Sequence, residues 1–344
     1  MKTKAAVLYE IGKPLVIEEI EIPALKEGQV LVKVFYSGVC HTQLHEIKGN
    51  RGPDKYLPHL LGHEASGIVE EIGEGVTKVK KGDYVILTWM KGNGKEVGST
   101  KYKGKNGNEI NSGAITTFSE KTIVSENRLI KADSRTPPNI AALLGCAVPT
   151  GMGMVFNLLE DDLGKSIAIF GIGGIGSNSI LAAKSRNYNP IIAVDIHKNK
   201  LKHAKELGAT HLINAKEEDV FGKIMEITKD GADFSIEAIG NIKTMELAFK
   251  SVKKGGKTII AGNARKGEIM SIDPSELNMG KKLLGTWGGE TNTDKDIPMY
   301  EKMYLRGELP LDKLITKVYR LEQINEAFED LEKGELCRAL IDFT

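Results

Sequence analysis

The sequence predicts an α/β protein in which a doubly wound parallel sheet is inserted in a mainly antiparallel β domain. Three observations predict it. Short strand-like runs punctuated by Gly and Pro fill the first part of the chain. A strand–helix–strand rhythm fills the middle, and a helical run and a closing strand end it. A chain of 344 residues also exceeds one ordinary core and suits about two domains. We expect the β domain over residues 1–147 and again over 288–344, with the parallel-sheet domain between them over 148–287.

The first-part strands read as AAVLYE, LVIEEIEIP, QVLVKVFYSGV, GIVEEIG and DYVILTW, each enriched in β-branched residues with partial alternation. From about Lys91 to Ser112 the composition turns to Gly, Lys and Asn, a polar excursion with no obvious element of its own. So long a loop in a compact domain is functional or a remnant of something functional. The middle opens on SIAIFG, a continuous apolar run of the kind buried on both faces. It continues through GIGGIG, the helical SNSILAAKSRN, the strand IIAVDI, a helix ending near Gly208, and the strands THLINA, DFSIEAIG and KTIIAGN. LEQINEAFEDLEKGE then has helical spacing, and ALIDFT closes the chain.

Charge excludes some partners. Lys and Arg number 47 against 46 Asp and Glu, so there is no electrostatic case for nucleic acid or a membrane surface. No apolar run approaches the roughly 20 residues of a membrane span. The apolar part of the opening MKTKAAVLYEIG is too brief for a signal peptide, so a cytoplasmic protein is expected. The three cysteines, Cys40, Cys146 and Cys337, are too sparse for a disulfide framework. They read as buried filler, metal ligands or nucleophiles.

The Gly-rich segment carries more information. Gly171, Gly173 and Gly176 follow a buried strand and open a helix, as a dinucleotide-binding turn requires. Gly171 suits the tight turn, Gly173 a close approach of the pyrophosphate, and Gly176 close packing of helix on strand. Gly174 and Ile175 complete the loop, whose helix N-terminus favours phosphate charge. Asp195 ends the second strand, 19 residues past Gly176, where a carboxylate can accept both ribose hydroxyls and repel a 2′-phosphate. NAD is therefore expected over NADP, although His197, Lys198 and Lys200 add positive charge nearby.

PHLLGHEASG carries His59, His63 and Glu64. His59 and His63 stand four apart, but Pro58 and Gly62 argue against a helix that would pair them. GVCHTQLHE and LLGCAVPTG each place a cysteine in a turn-rich setting. Spacing alone leaves open whether Cys40, His63 and Cys146 converge on a metal or lie apart.

VCHTQLHE, LPHLLGHEASGIVEEIGEGVTKVKKGDYV, LLGCAVPTG, IFGIGGIG, AVDIHKNK and LEQINEAFEDLEKGELCRALIDF resemble the zinc-containing medium-chain alcohol dehydrogenases, over nearly the whole chain and in family order. The resemblance implies a Rossmann domain for the cofactor within a GroES-like catalytic domain. It implies that Cys40, His63 and Cys146 ligate one catalytic zinc per subunit, the Cys₂His set for which this family is the standard example. Glu64 matches an acidic neighbour able to approach the metal during ligand exchange. Thr42 matches the hydroxyl beside the first ligand, and His45 the far end of a proton relay. His41 and Arg338 match positions that contact the pyrophosphate, and Thr150 one beside the nicotinamide. Trp89 and Phe118 match positions near the substrate pocket, with core aromatics as the bland alternative. By this resemblance the protein oxidises a primary or secondary alcohol with NAD, or reduces the matching carbonyl, in a cleft between domains, as a homodimer or homotetramer.

Two departures stand out. Many relatives carry a second, structural zinc on four closely spaced cysteines after the GDYV-like strand, whereas KGNGKEVGSTKYKGKNGNEINSG has no cysteine. That lobe must be held by packing, turns or a partner subunit, or be mobile. Gln43 stands where relatives often have Asp, keeping a hydrogen bond near the metal but no charge. Arg51 and Lys55 hint at a polar or anionic substrate such as a polyol, sugar, cyclitol or amino alcohol; a solvated basic loop is the alternative. Two further readings stay open. A zinc-free quinone-reductase-like enzyme is opposed by Cys40, His63, Glu64 and Cys146 together. A non-catalytic NAD-binding protein with a structural zinc is opposed by Thr42 and His45.

Overall fold

The computed structural model describes residues 1–160, 163–334 and 336–344. They form two compact units, one of Met1–Cys146 with Asn292–Thr344, the other of Ala147–Thr291.

The first unit begins with β1 (Lys2–Leu8), β2 (Val16–Glu21) and β3 (Gln29–Val39), then the short helix α1 (His41–Ile47). It continues with β4 (His59–Leu60), β5 (Glu64–Ile72), β6 (Tyr84–Thr88), β7 (Lys101–Lys103), β8 (Glu109–Asn111), β9 (Lys121–Ser125), β10 (Leu129–Lys131) and α2 (Pro138–Leu143). β1, β2, β7, β8 and β4 close a small barrel around Ala5, Val7, Ile20, Leu60, Tyr102 and Ile110. β3 is the long central strand of a second sheet. It pairs with β5, β9 and, near its end, a C-terminal strand, which is why its apolar residues run almost without interruption. That central strand stops at Val39 and delivers Cys40 to the start of α1.

The second unit runs α3 (Ala147–Leu158), β11 (Ile167–Phe170), α4 (Gly174–Ser185), β12 (Ile191–Asp195), α5 (Lys198–Leu207), β13 (His211–Asn214), α6 (Val220–Thr228), β14 (Ala232–Glu237), α7 (Ile242–Lys250), β15 (Val252–Ile260), α8 (Pro274–Asn278) and β16 (Lys282–Gly285). Its six strands are all parallel, in the order β13-β12-β11-β14-β15-β16. The order reverses at β11, so the turn after β11 sits at the switch point where such sheets take their ligands. The chain then returns to the first unit through α9 (Thr293–Leu305), β17 (Ile315–Arg320), α10 (Ile324–Glu332) and β18 (Arg338–Asp342). This is the doubly wound sheet and antiparallel β domain that the sequence predicts.

The polar excursion needs correcting. It contains β7 and β8, a hairpin that completes the barrel by pairing with β2 and β4. Tyr102 and Ile110 anchor it, 1% and 0% exposed, and burial pushes the Tyr102 phenol up to about 12. The stretch before the hairpin is fixed by polar contacts. Glu126 Oε1 accepts from Lys95 N at 2.8 Å, while its Oε2 accepts from Thr77 N and Lys78 N at 2.9 and 3.1 Å. Ser125 Oγ donates to Val97 O at 2.7 Å and accepts from Val97 N at 3.0 Å.

Candidate active site

Three elements deliver three donors. Cys40 caps α1 after β3, His63 lies between β4 and β5, and Cys146 follows α2 just before α3. Gly62 has φ +94, where a side chain would be strained and would run into Thr117, so this turn needs glycine to present His63. One donor atom from each of Cys40, His63 and Cys146 lies within 4.8 Å of the others, and none of the cysteines is in a disulfide. Tetrahedral zinc with bonds of about 2.0–2.3 Å needs donor atoms about 3.5–3.8 Å apart, so this set fits it. His63 Nε2 lies 3.2 Å from Cys146 Sγ. The Cys40 thiol is held well below the ordinary thiol range, chiefly by a hydrogen bond with Cys146, against desolvation and helped by His63 and Arg338. Two thiol sulfurs and an imidazole nitrogen are the soft-to-borderline donors that zinc prefers.

Gln43 lies against His63, its amide on the ring Nδ1, and is 2% exposed. With Nε2 facing the ring, Gln43 Oε1 is buried with no partner among the described residues. A histidine that offers Nε2 to a metal carries its proton on Nδ1. A half-turn of the amide lets Oε1 accept from Nδ1–H. Gln43 is thus placed to set the tautomer of His63 when a metal takes Nε2.

Glu64 is fully buried at the start of β5 and forms an ion pair with Arg338, itself 5% exposed. Desolvation lowers the Arg338 pKa, and Cys40 counters it. Arg338 therefore lies beside a metal donor as well as the acid. Gly38 and Gly145 make room for Glu64, since a Cβ at either would collide with it. Thr42 and His45 share α1 three residues apart, hence on one face, and His45 Nδ1 lies 2.9 Å from Asn50 Nδ2. His41 is the exposed first residue of the same helix.

In the second unit Gly171 has φ +89, and a Cβ on Gly176 would meet the Gly171 carbonyl. A Cβ on Gly173 would meet nothing within 4 Å, so the turn is open there. Gly174 and Ile175 form the first turn of α4, whose N–H groups face out of the helix start. Asp195 ends β12. Its Oδ2 accepts from Ile172 N at 2.8 Å and its Oδ1 from His197 N at 2.9 Å, which ties the carboxylate to the Gly-rich turn. Each oxygen keeps a further lone pair for a ribose hydroxyl. Lys200 lies on α5, and Thr150 on α3 is 6% exposed with its Oγ1 unpartnered among the described residues. These features fit a dinucleotide.

Other residues stand apart from the donors. His59 pairs with Asp54 at 2.7 Å. Arg51 pairs with Glu46 at 2.7 Å. Phe118 is a core residue, edge-on to Phe328 with centroids 5.9 Å apart. Trp89 does lie at the metal centre, its indole N–H donating to Cys146 Sγ at 3.2 Å. Sequence reasoning missed that bond and the Glu64–Arg338 pair. No local pattern signals either, since each joins residues more than 50 positions apart.

Residues 26–134 match the alcohol dehydrogenase GroES-like domain and residues 174–303 the zinc-binding dehydrogenase family. The chain is 36% identical to the S-(hydroxymethyl)glutathione dehydrogenase of Synechocystis sp., covering 100% of both proteins. Among solved structures it resembles an alcohol dehydrogenase zinc-binding domain protein from Burkholderia ambifaria, with 31% identity, TM-score 0.93 and 99% of each chain covered. It also resembles benzyl alcohol dehydrogenase from Acinetobacter calcoaceticus, with 30% identity, TM-score 0.89 and 100% of each chain covered. Full-length identity at that level agrees with the Cys-His-Cys cluster and the dinucleotide turn: the chain belongs to the zinc-containing medium-chain alcohol dehydrogenases, oxidoreductases that move hydride between an alcohol and a nicotinamide cofactor.

Proposed function

We propose that Cys40, His63 and Cys146 hold the catalytic zinc, that Thr42 and His45 move the substrate proton, and that NAD rather than NADP accepts the hydride. One observation carries the reading: the donor cluster has three members, not the four of a closed structural site, among the described residues. Bound zinc supplies Lewis acidity that eases deprotonation of a hydroxyl near neutral pH, and the nicotinamide supplies the hydride acceptor. The chain's own residues do the rest. Gln43 keeps the His63 Nε2 lone pair free for the metal. Thr42 Oγ1 accepts the hydroxyl proton, and His45, on the same face of α1, passes it to solvent with Asn50 holding its ring. Glu64, neutralised by Arg338, gives the metal an acidic neighbour during ligand exchange. In the second unit Gly171 to Gly176 are read as the cradle of the pyrophosphate and Thr150 as a neighbour of the nicotinamide, and His41 and Arg338 keep the pyrophosphate role that the resemblance gives them. Asp195 accepts the ribose hydroxyls, and Lys200 on α5 adds positive charge near it.

Trp89 gives the alcohol an aromatic wall beside Cys146, so the substrate is taken to be an alcohol with an apolar flank. The test is NADH formation with aromatic, aliphatic, polyol and cyclitol alcohols, each repeated with NADP. Turnover with an apolar alcohol and NAD is the expected result. Binding of NAD with no turnover across the panel would instead favour a non-catalytic dinucleotide-binding protein.

We further infer a homo-oligomer acting in the cytoplasm. Edge strand β16 pairs with β15 alone among the described residues, beside exposed Ile269, Met279 and Trp287. Sedimentation as a dimer or tetramer is expected, and a monomer at micromolar concentration would refute it. Free cysteines suit a reducing compartment, and no helix among the described residues is long and apolar enough to cross a membrane.

A further inference from the structure

A chain of polar contacts joins the metal donors to the cysteine-free segment, and nothing in the chemistry above uses it. It begins at Cys146 Sγ, which accepts from Trp89 Nε1–H at 3.2 Å. The Trp89 carbonyl accepts from Arg128 Nη1. Arg128 is 7% exposed, and its Nη2 donates to Glu96 Oε1 at 2.7 Å. The other oxygen of Glu96 accepts from Asn127 Nδ2 at 2.6 Å. Gly92 N donates to Asn127 O at 2.9 Å, so Glu96 and its neighbours are fastened at both ends of the contact. Glu96 lies four residues after Gly92, in the stretch that Glu126 and Ser125 pin.

The physical sense runs from the outside inward. A guanidinium is a planar fork with several donors, so one Arg can hold a carboxylate and a carbonyl at a fixed angle. An indole turns about only two side-chain torsions, so fixing its backbone narrows where its N–H points. An N–H donated to a thiolate sulfur draws charge from it and fixes the lone pair left for a metal. We propose that Trp89 is a positioning residue of the metal centre, set in place by Glu96 through Arg128, so that the cysteine-free lobe controls the electron donation of Cys146. This rests on the zinc reading of Cys40, His63 and Cys146.

The experiment uses the full-length protein with cobalt(II) in place of zinc. Thiolate-to-cobalt charge transfer is read in the near ultraviolet. Trp89→Phe keeps an aromatic ring and loses the donor, and the band is expected to move to longer wavelength as the sulfur lone pairs rise in energy. Glu96→Ala is expected to move it in the same direction by a smaller amount. The double variant is expected to match Trp89→Phe alone. An unmoved band in Trp89→Phe overturns the relay, and so does a Glu96→Ala shift that adds in full to that of Trp89→Phe. A parent protein with no thiolate–cobalt band at all overturns the metal site and the relay with it. A second measurement needs no change at the site. The chain has two tryptophans, so in Trp287→Phe all tryptophan emission comes from Trp89. Its emission is expected to shift when zinc is removed and to recover on reloading, and an unchanged spectrum counts against the relay.

Discussion

Gln43 illustrates how much a single uncharged side chain does at this centre. It is 2% exposed and lies on Nδ1 of His63, whose Nε2 faces Cys146 Sγ. Gln43→Ala is expected to weaken zinc binding about 10- to 100-fold, the usual cost of losing an outer partner of a ligand. Competition with a chromogenic chelator measures it, and unchanged affinity would show that His63 needs no such partner. Arg338 makes a second residue-scale case. Arg338→Met leaves Glu64 fully buried without its cation, which costs about 3–5 kcal/mol, whereas Arg338→Lys is expected to recover part of it. Denaturant unfolding separates the two variants. The sequence indicated the donor types, because two thiols and an imidazole in turn-rich settings suit zinc. Their convergence came only from the resemblance and the fold, since Cys40 and Cys146 stand 106 positions apart.

At the scale of elements, the long strands and the parallel-sheet rhythm were legible because each holds four or more residues of consistent pattern. β7 and β8 were not. Each is three residues long with one buried position, Tyr102 or Ile110, too short for alternation to show against a Gly- and Lys-rich background. The lobe around them is held through Glu126, which sequence alone presents as an ordinary surface acid. Desolvation raises the Glu126 pKa, but the backbone N–H groups of Lys95, Thr77 and Lys78 outweigh it and hold the carboxyl below its usual range. A folded-state pKa below the unfolded one means stabilisation that is present above the unfolded value of about 4.3 and lost as pH falls through the folded value. Glu126→Gln is expected to lose about 2 kcal/mol at neutral pH, with a flatter loss of stability in acid. Limited proteolysis should then cut within residues 91–100 before any other site. A variant as resistant as its parent would mean that the hairpin alone orders the lobe.

At the scale of the whole molecule, one unit carries the Cys40, His63 and Cys146 cluster together with Thr42 and His45, and the other carries the Gly-rich turn that opens α4. The cysteine-free lobe is fastened by Glu126, Ser125 and the barrel hairpin, so removal of the metal is expected to leave the fold intact. Stepwise removal of zinc with a chelator, following metal content, alcohol-dependent NADH formation and circular dichroism on the same sample, is the direct test. Activity is expected to fall in proportion to the loss of about one zinc per chain while the dichroism stays unchanged, and to return on reloading. Activity that survives zinc removal, or a fold that collapses with it, would contradict a single catalytic zinc held by Cys40, His63 and Cys146.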